Sequence, residues 1–537
     1  MSEISVNTQI DVDEKLRISS SEKASLNEVE AVPAVPAHLP TIHSATELAL
    51  NVGLQEFLEC KESGLELTPE ANKRILRKID LYILSLMFIT SILQFLDKTA
   101  LNYANLFGIR NDLDLTGSQL NWLASIFYFG YMSGQFPASY LYARFSTGKI
   151  IGVCTVLWGI TVLAFSFTRN FAAAAVLRYF LGIFEAPITP GLTLAVGYWW
   201  TRSEAPLRMN VIYSALGWAG VIGSLMSAGI SGDTDSGPIK RWQLVFVVLG
   251  SITTAWGFVI YFFLADSPVE AQFLSREDRL LATRRVAQNQ VGIKNGQFKL
   301  YQVKHALIDI KMWLTIVTIF AAGIPNGVIS NFSTELINNL GFSTTNTALL
   351  DCVGNLFQVV GLIVGGYVAS YIPNTRSLVC TAGNIACLIG AACLAYLPAN
   401  KTWLRLVAFW WNNVQSVSFS LALNMISVNM SGYTKKQIAS ALTFIAYCVG
   451  NIVGPQFVIQ TQTPTFPTAT KAMMVGFVVK LVCQAALGFY MLRVNTARDN
   501  EMKQHDELDK ESERQRAETA GMLDQTEFEN KAMRYVL

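Results

Sequence analysis

The chain of 537 residues is 51% hydrophobic and only 15% charged, whereas an ordinary soluble domain carries charge at about a quarter of its positions. That excludes a soluble enzyme of usual composition and points to a chain that crosses a membrane many times. The net charge of +2 says nothing about partners, and nucleic acid is not among those expected.

Residues 1–79 are polar and dotted with proline, and read as a flexible cytosolic tail without a signal-type apolar core. At its end Lys73, Arg74, Arg77 and Lys78 precede the first apolar run, which by the positive-inside rule puts this side in the cytosol. About 20 apolar residues cross a bilayer. Windows of that size fall near 81–107, 119–142, 149–168, 171–197, 209–231 and 243–264, giving an N-terminal half over 80–264. Residues 265–311 are rich in Lys and Arg and read as a cytosolic loop. A second set near 312–334, 346–371, 377–397, 402–426, 438–460 and 472–492 gives a C-terminal half over 312–492. The tail 493–537 is charged and periodic enough for a short surface helix, again cytosolic. The expected fold is therefore all-α, a polytopic membrane protein of twelve transmembrane helices in two six-helix halves, surrounded by lipid and monomeric.

Gly130, Gly134, Ala138, Ser139 and Tyr140 recur at a constant offset of 231 as Gly361, Gly365, Ala369, Ser370 and Tyr371. Small residues are common in membrane helices, so chance is one reading; the matching place in each half favours duplication.

Charged side chains inside the spans are costly and therefore informative. Asp97 and Lys98 interrupt the first, Arg178 and Glu185 the fourth, and Asp351 lies near the start of the eighth. Arg178 and Glu185 are seven apart, on nearly one face of a helix. A vestibule between spans one and four would let Arg178 reach Asp97, and Lys98 reach Glu185 or a bound anion. A structural network that merely locks the helices is the alternative. The eight cysteines stand singly, and all four histidines lie outside the apolar runs, so no metal set is expected and proton movement would fall to carboxylates. Nor is there a phosphate loop or a Ser/His/Asp arrangement, and the chain does not read as an enzyme.

Leu96-Asp97-Lys98-Thr99-Ala100-Leu101-Asn102-Tyr103-Ala104, Leu177 to Ala186 with Pro190-Gly191, and the duplicated halves resemble the major facilitator superfamily, in particular its anion:cation symporter branch and the fungal allantoate permease group. The resemblance covers about 80–492. It implies proton-coupled uptake across the plasma membrane of a small organic anion: a ureido acid such as allantoate, a vitamin carboxylate, a short peptide or a sulfur amino acid. It assigns Asp97 and Glu185 to proton coupling and Lys98 and Arg178 to the substrate, with no cofactor beyond the proton. Lys98 stands where the wider family often has Arg, and lacks Arg's bidentate fork.

Asn326, Gln358, Asn412, Asn413, Tyr447 and Asn451 are candidates for the uncharged part of a substrate, with helix-to-helix hydrogen bonding an equal reading. Arg144 and Lys149 occupy the place of the superfamily's gating motif, but its acidic residue is missing, and Arg144 reads equally as a positive-inside anchor. Span five carries no proline between Pro206 and Pro238, unlike drug antiporters, which favours uptake over efflux. Efflux of a metabolite or toxin, and a non-transporting nutrient sensor signalling through its tails, are the alternative functions.

Overall fold

The computed structural model describes residues 67–201, 204–231, 239–287, 299–372, 374–398, 400–503, 526–529 and 533–536, all within one compact unit, Glu59–Leu537. The tail reading for residues 1–66 lies outside them.

The first helix, α1 (Pro69–Leu106), begins well before the apolar run at Leu81. Thr68 caps it by accepting from the Ala71 N–H at 3.2 Å, and Pro69 sits in the first turn, where its missing N–H costs nothing. Ile75 and Ile79 are buried, so this amphipathic lead-in is packed against the protein. Then follow α2 (Gln119–Arg144), α3 (Thr147–Phe165), α4 (Phe171–Trp199), α5 (Ala205–Ser231) and α6 (Arg241–Phe263). The second set is α7 (Ile310–Asn338), α8 (Thr344–Tyr371), α9 (Arg376–Tyr396), α10 in two pieces (Thr402–Asn412 and Gln415–Asn429), α11 (Tyr433–Val453) and α12 (Pro467–Lys503). Ten helices among the described residues are long and apolar enough to cross a membrane, and α2 and the broken α10 stand in the two remaining places. No strand occurs among the described residues.

Packing repeats between the halves. Helix α1 lies on α5 as α7 lies on α11, α2 on α4 as α8 on α10, and α3 on α6 as α9 on α12. The halves meet along α5–α8, α2–α11 and α1–α7. The recurring glycines make the α2–α4 and α8–α10 contacts: a Cβ at Gly130 would stand 2.0 Å from the Tyr179 carbonyl oxygen, and one at Gly365 2.3 Å from Val417. Asn102 donates to Ser333 Oγ at 2.8 Å, and these two residues are 231 apart, the offset of the repeat. Equivalent positions that touch each other lie on the local twofold axis relating the halves.

At the end of the bundle remote from α1's first turn and α12's last, the halves are clasped. Asn102 also accepts from the Thr334 N–H at 3.1 Å; Asn121 donates to the carbonyls of Pro455 and Val458 at 2.9 and 2.8 Å; Ser125 donates to Ile452 O at 2.8 Å.

The other end, called here the terminal end, is held within each half by ion pairs. In the first half Asp278 joins Arg74 and Lys78 at 2.7 Å each, and Asp80 joins Arg208 at 2.6 Å. In the second, Asp309, Lys311, Lys435 and Glu527 form one buried cluster, with Lys435 2.7 Å from Asp309 and Lys311 2.9 Å from Glu527. Glu527 belongs to the 493–537 tail expected to be a surface helix. Instead α12 runs on to Lys503, and the described residues beyond it, 526–529 and 533–536, tuck under the bundle: Tyr535 is buried and Val536 exchanges two hydrogen bonds with Asn429.

Candidate functional site

Asp97 and Lys98 are adjacent on α1, so their side chains leave the helix about 100° apart and face different neighbours. Lys98 turns toward α2 and α4. Its Nζ is 2.9 Å from Glu185 Oε1, and it stands over the rings of Tyr131 and Phe95 at 5.0 and 5.4 Å. Asp97 turns toward α6, where Thr253 donates to its Oδ2 at 3.4 Å; its Oδ1 has no hydrogen-bond partner.

This divergence decides the second expected contact. Arg178 does not pair with Asp97. It donates from Nε to the Leu123 carbonyl at 3.1 Å and lies over the Phe127 ring at 5.4 Å, both on α2, leaving Nη1 without a partner. Of the two cross-helix pairings expected, Lys98–Glu185 forms.

Glu185 sits at a break in α4. Pro190 has no N–H to offer the Ala186 carbonyl, and that oxygen is taken by Gln135 Nε2 at 2.8 Å; Tyr142 donates to the Pro187 carbonyl at 2.7 Å. The break is thus braced by two α2 side chains. It also presents Thr189 to Tyr131 and Gln94, each at 3.2 Å.

The second half closes this chamber with aromatic rings. Phe444 of α11 stacks on Tyr131, with centroids 5.1 Å apart, and Tyr447 meets Tyr128 edge-on at 6.0 Å. Glu185 is fully buried, while Lys98 keeps 12% of its side chain exposed. A small cleft lies between α5, α8 and α10, lined by Asn210, Tyr213, Leu362, Gly366, Val417 and Ser420. The chamber can therefore offer an anion one ammonium, aromatic walls and a carboxylate that competes for the same ammonium.

The other candidates divide clearly. Tyr447 faces the chamber. Asn326 donates to Asn451 Oδ1 at 2.8 Å, and Asn451 to Tyr447 O at 2.8 Å, so both tie α7 to α11. Gln358 donates to Ser416 across α8 and α10, and Asn412 back to Ala408 O at 3.3 Å. Asp351 takes Ser224 at 2.9 Å and Asn355 at 3.1 Å, at the seam between halves near the clasped end. Arg144 and Lys149 are exposed, Arg144 over the Tyr140 ring at 5.3 Å. The acid missing from their loop is supplied from elsewhere: Asp266, just after α6, accepts from the Thr147 and Gly148 N–H groups at 2.9 and 2.6 Å and so caps α3.

Sequence reasoning missed Tyr128, Tyr131, Phe444 and Tyr213. They recur at helical spacing, but aromatics are spread through all the spans and nothing local marks these four. It also missed Lys480, a charge inside span twelve that was legible, and Arg405 in span ten, which lines a small cavity with Leu336, Phe409 and Thr470.

The Major Facilitator Superfamily matches residues 87–455 of the chain. An uncharacterised transporter of Schizosaccharomyces pombe is 33% identical over 99% of this chain and 100% of its own length. The allantoate permease of Saccharomyces cerevisiae is 31% identical over 99% of each chain, and a thiamine pathway transporter of the same yeast 29% identical over 90% and 92%. Among solved structures, a D-xylose-proton symporter superposes with a TM-score of 0.58 at 14% identity, covering 75% of this chain and 96% of that one. A bacterial homologue of the human lysosomal transporter Spinster gives 0.56 at 15%, covering 79% and 97%. These likenesses agree with the duplicated helical halves, and the chain, a membrane transporter and not an enzyme, belongs to the Major Facilitator Superfamily, in its allantoate permease-like group.

Proposed function

We propose that this transporter takes up a small organic anion together with protons by alternating access, in a plasma membrane and with the terminal end in the cytosol. The observation that carries the reading is the buried Lys98–Glu185 pair, with the ammonium over the Tyr131 ring and Phe444 of the second half stacked on that ring. An anion that takes the Lys98 ammonium leaves Glu185 as a buried carboxylate without its cation, which is costly until a proton neutralises it. Anion and proton thus bind cooperatively, and the loaded chamber, with its charges paired, is the form able to cross between the two openings. Asp97, turned to the α3–α6 side, is a second proton carrier in this reading, and Arg178 holds α2 against α4 with a spare Nη1 for the substrate. The name of the yeast relative at 31% identity supports a ureido acid such as allantoate; vitamin carboxylates, short peptides and sulfur amino acids share the required carboxylate.

The test is uptake of labelled carboxylates, ureido acids, dipeptides and sulfonates in cells lacking their own permeases, at pH 5 and pH 7. The reading requires at least one of these anions to accumulate, more at pH 5, and Glu185→Gln to abolish accumulation while exchange of label persists. Undiminished accumulation by that variant removes Glu185 as the coupling site.

A further inference from the structure

We propose that the second half holds a small inorganic anion, of the halide class, between α9, α10 and α12, with Lys480 as its cation. Lys480 is fully buried in the middle of α12, and its Nζ makes one hydrogen bond, to the Gln415 carbonyl at 3.2 Å. A buried ammonium needs a counter-charge. Among the described residues none is supplied here: α9 and α10 contain no Asp or Glu, the first acid on α12 is Asp499, five turns further on, and Glu335 of α7, the other helix packed along α12, is held by Asn105 and Gln460 at the clasped end. Among the described residues no carboxylate forms an ion pair with Lys480.

Around it the polar groups are short of partners. Gln484 lies one turn along α12 on the same stripe, buried, with Nε2 unpaired. Asn384 on α9 is fully buried with Nδ2 unpaired, while its Oδ1 accepts from Ser418 at 2.7 Å. Ser418 Oγ also lies 3.0 Å from the Gln415 carbonyl that Lys480 uses, which joins these groups into one cluster. Cys380 and Cys387, on the Asn384 stripe, point their thiols at α10 carbonyls and supply no anion. One ammonium with two spare amide N–H donors, and no acid on α9 or α10, is a donor set for a monovalent anion rather than for a metal; the one unpaired acceptor beside these donors is Gln415 Oε1, on the residue whose carbonyl Lys480 uses. The cluster lies behind α10 and is separate from the Lys98–Glu185 chamber, so it does not depend on the proposed substrate.

The probe is chloride or bromide against gluconate at one ionic strength, on the full-length protein in lipid nanodiscs, with the melting temperature read from tryptophan fluorescence. Chloride and bromide should raise the midpoint saturably in the wild type and in Lys98→Met, and Lys480→Met should lose the dependence. Gln484→Met, which keeps the cation, should weaken halide binding by about tenfold or more, and covers the case in which Lys480→Met fails to fold. A wild-type midpoint that is the same in all three salts, or a halide effect unchanged in Gln484→Met and Lys480→Met, overturns the proposal.

Discussion

The two halves share one plan of packing and differ in what they bury. The first half sets four ionisable groups near its centre, Asp97, Lys98, Arg178 and Glu185, with one direct ion pair among them. The second half puts amides and rings at the facing positions, and the amides are spent within that half: Asn326 on Asn451, Gln358 on the Ser416 hydroxyl. Duplication therefore preserved the scaffold, down to the glycines that bring α2 onto α4 and α8 onto α10, while the chemistry became one-sided. Where the halves face each other at the centre, the first half therefore presents charge and the second presents rings, and in the proposed transport cycle the second half can move over a bound substrate without breaking ion pairs there.

That comparison can be broken outright. Lys98→Met should lower uptake of whichever anion the panel identifies by roughly 100-fold or more, since it leaves Glu185 buried and unpaired, whereas Asn326→Ala should cost only a few-fold. Equal losses would mean that the second half carries as much of the recognition as the first. Next in size, Phe444→Ala removes the ring stacked on Tyr131, and should raise the half-saturation concentration about tenfold with a smaller change in maximal rate. A change in maximal rate alone would place Phe444 in the conformational step instead.

The shared scaffold has its own asymmetry. At Gly130 an added Cβ meets backbone at 2.0 Å, while at Gly361 the nearest atoms are valine side chains at 3.4 Å. Gly130→Ala should destabilise by about 1–3 kcal/mol and Gly361→Ala by under about 0.5, read as melting temperatures in nanodiscs. Similar shifts would show α2 and α4 to be less tightly apposed than this.

The smallest expected effect is one of pH. Burial pushes the Glu527 carboxyl up, but Lys311 and Lys435 pull it further down, to about 2. A carboxyl held below its unfolded value of about 4.3 stabilises the docked segment above that value, and the contribution fades only as pH falls through the folded one. Hydrogen exchange of residues 533–536 should accordingly show unchanged protection from pH 8 to pH 5, after correction for intrinsic rates. Release at pH 5 would mean that one of the two lysines is not engaged.

Much of this was legible in the residues. Hydropathy windows located the spans because every backbone group in lipid must bond within its own helix, which leaves long apolar runs as the solution. Asp97, Lys98, Arg178 and Glu185 stood out because charge in such runs is expensive. What failed to show was direction. Seven-residue spacing placed Arg178 and Glu185 on one face, but whether Asp97 or a carbonyl of α2 would meet Arg178 depends on the rotation of α1, which periodicity does not set. The chamber's rings were hidden by abundance, and Asp266 was hidden by distance in sequence, since a helix N-terminus accepts a cap from any segment that reaches it. The docked residues 526–529 and 533–536 were unreadable for another reason: their charges suit water equally well, and only the paired lysines beneath them make burial favourable.

The clasp opposite the terminal end consists mainly of neutral hydrogen bonds, from Asn102, Asn121 and Ser125 to Ser333, Pro455, Val458 and Ile452, with Arg110 and Glu335 the nearest approach to an ion pair there at 4.0 Å. The neutral bonds among these are indifferent to ionic strength and do not titrate, whereas Asn105, which donates to Glu335 Oε2 at 2.6 Å, rests on a carboxylate. Most of the seal on that side should then hold alike in dilute and in saline media, and Glu335 is where proton or salt concentration has purchase on it.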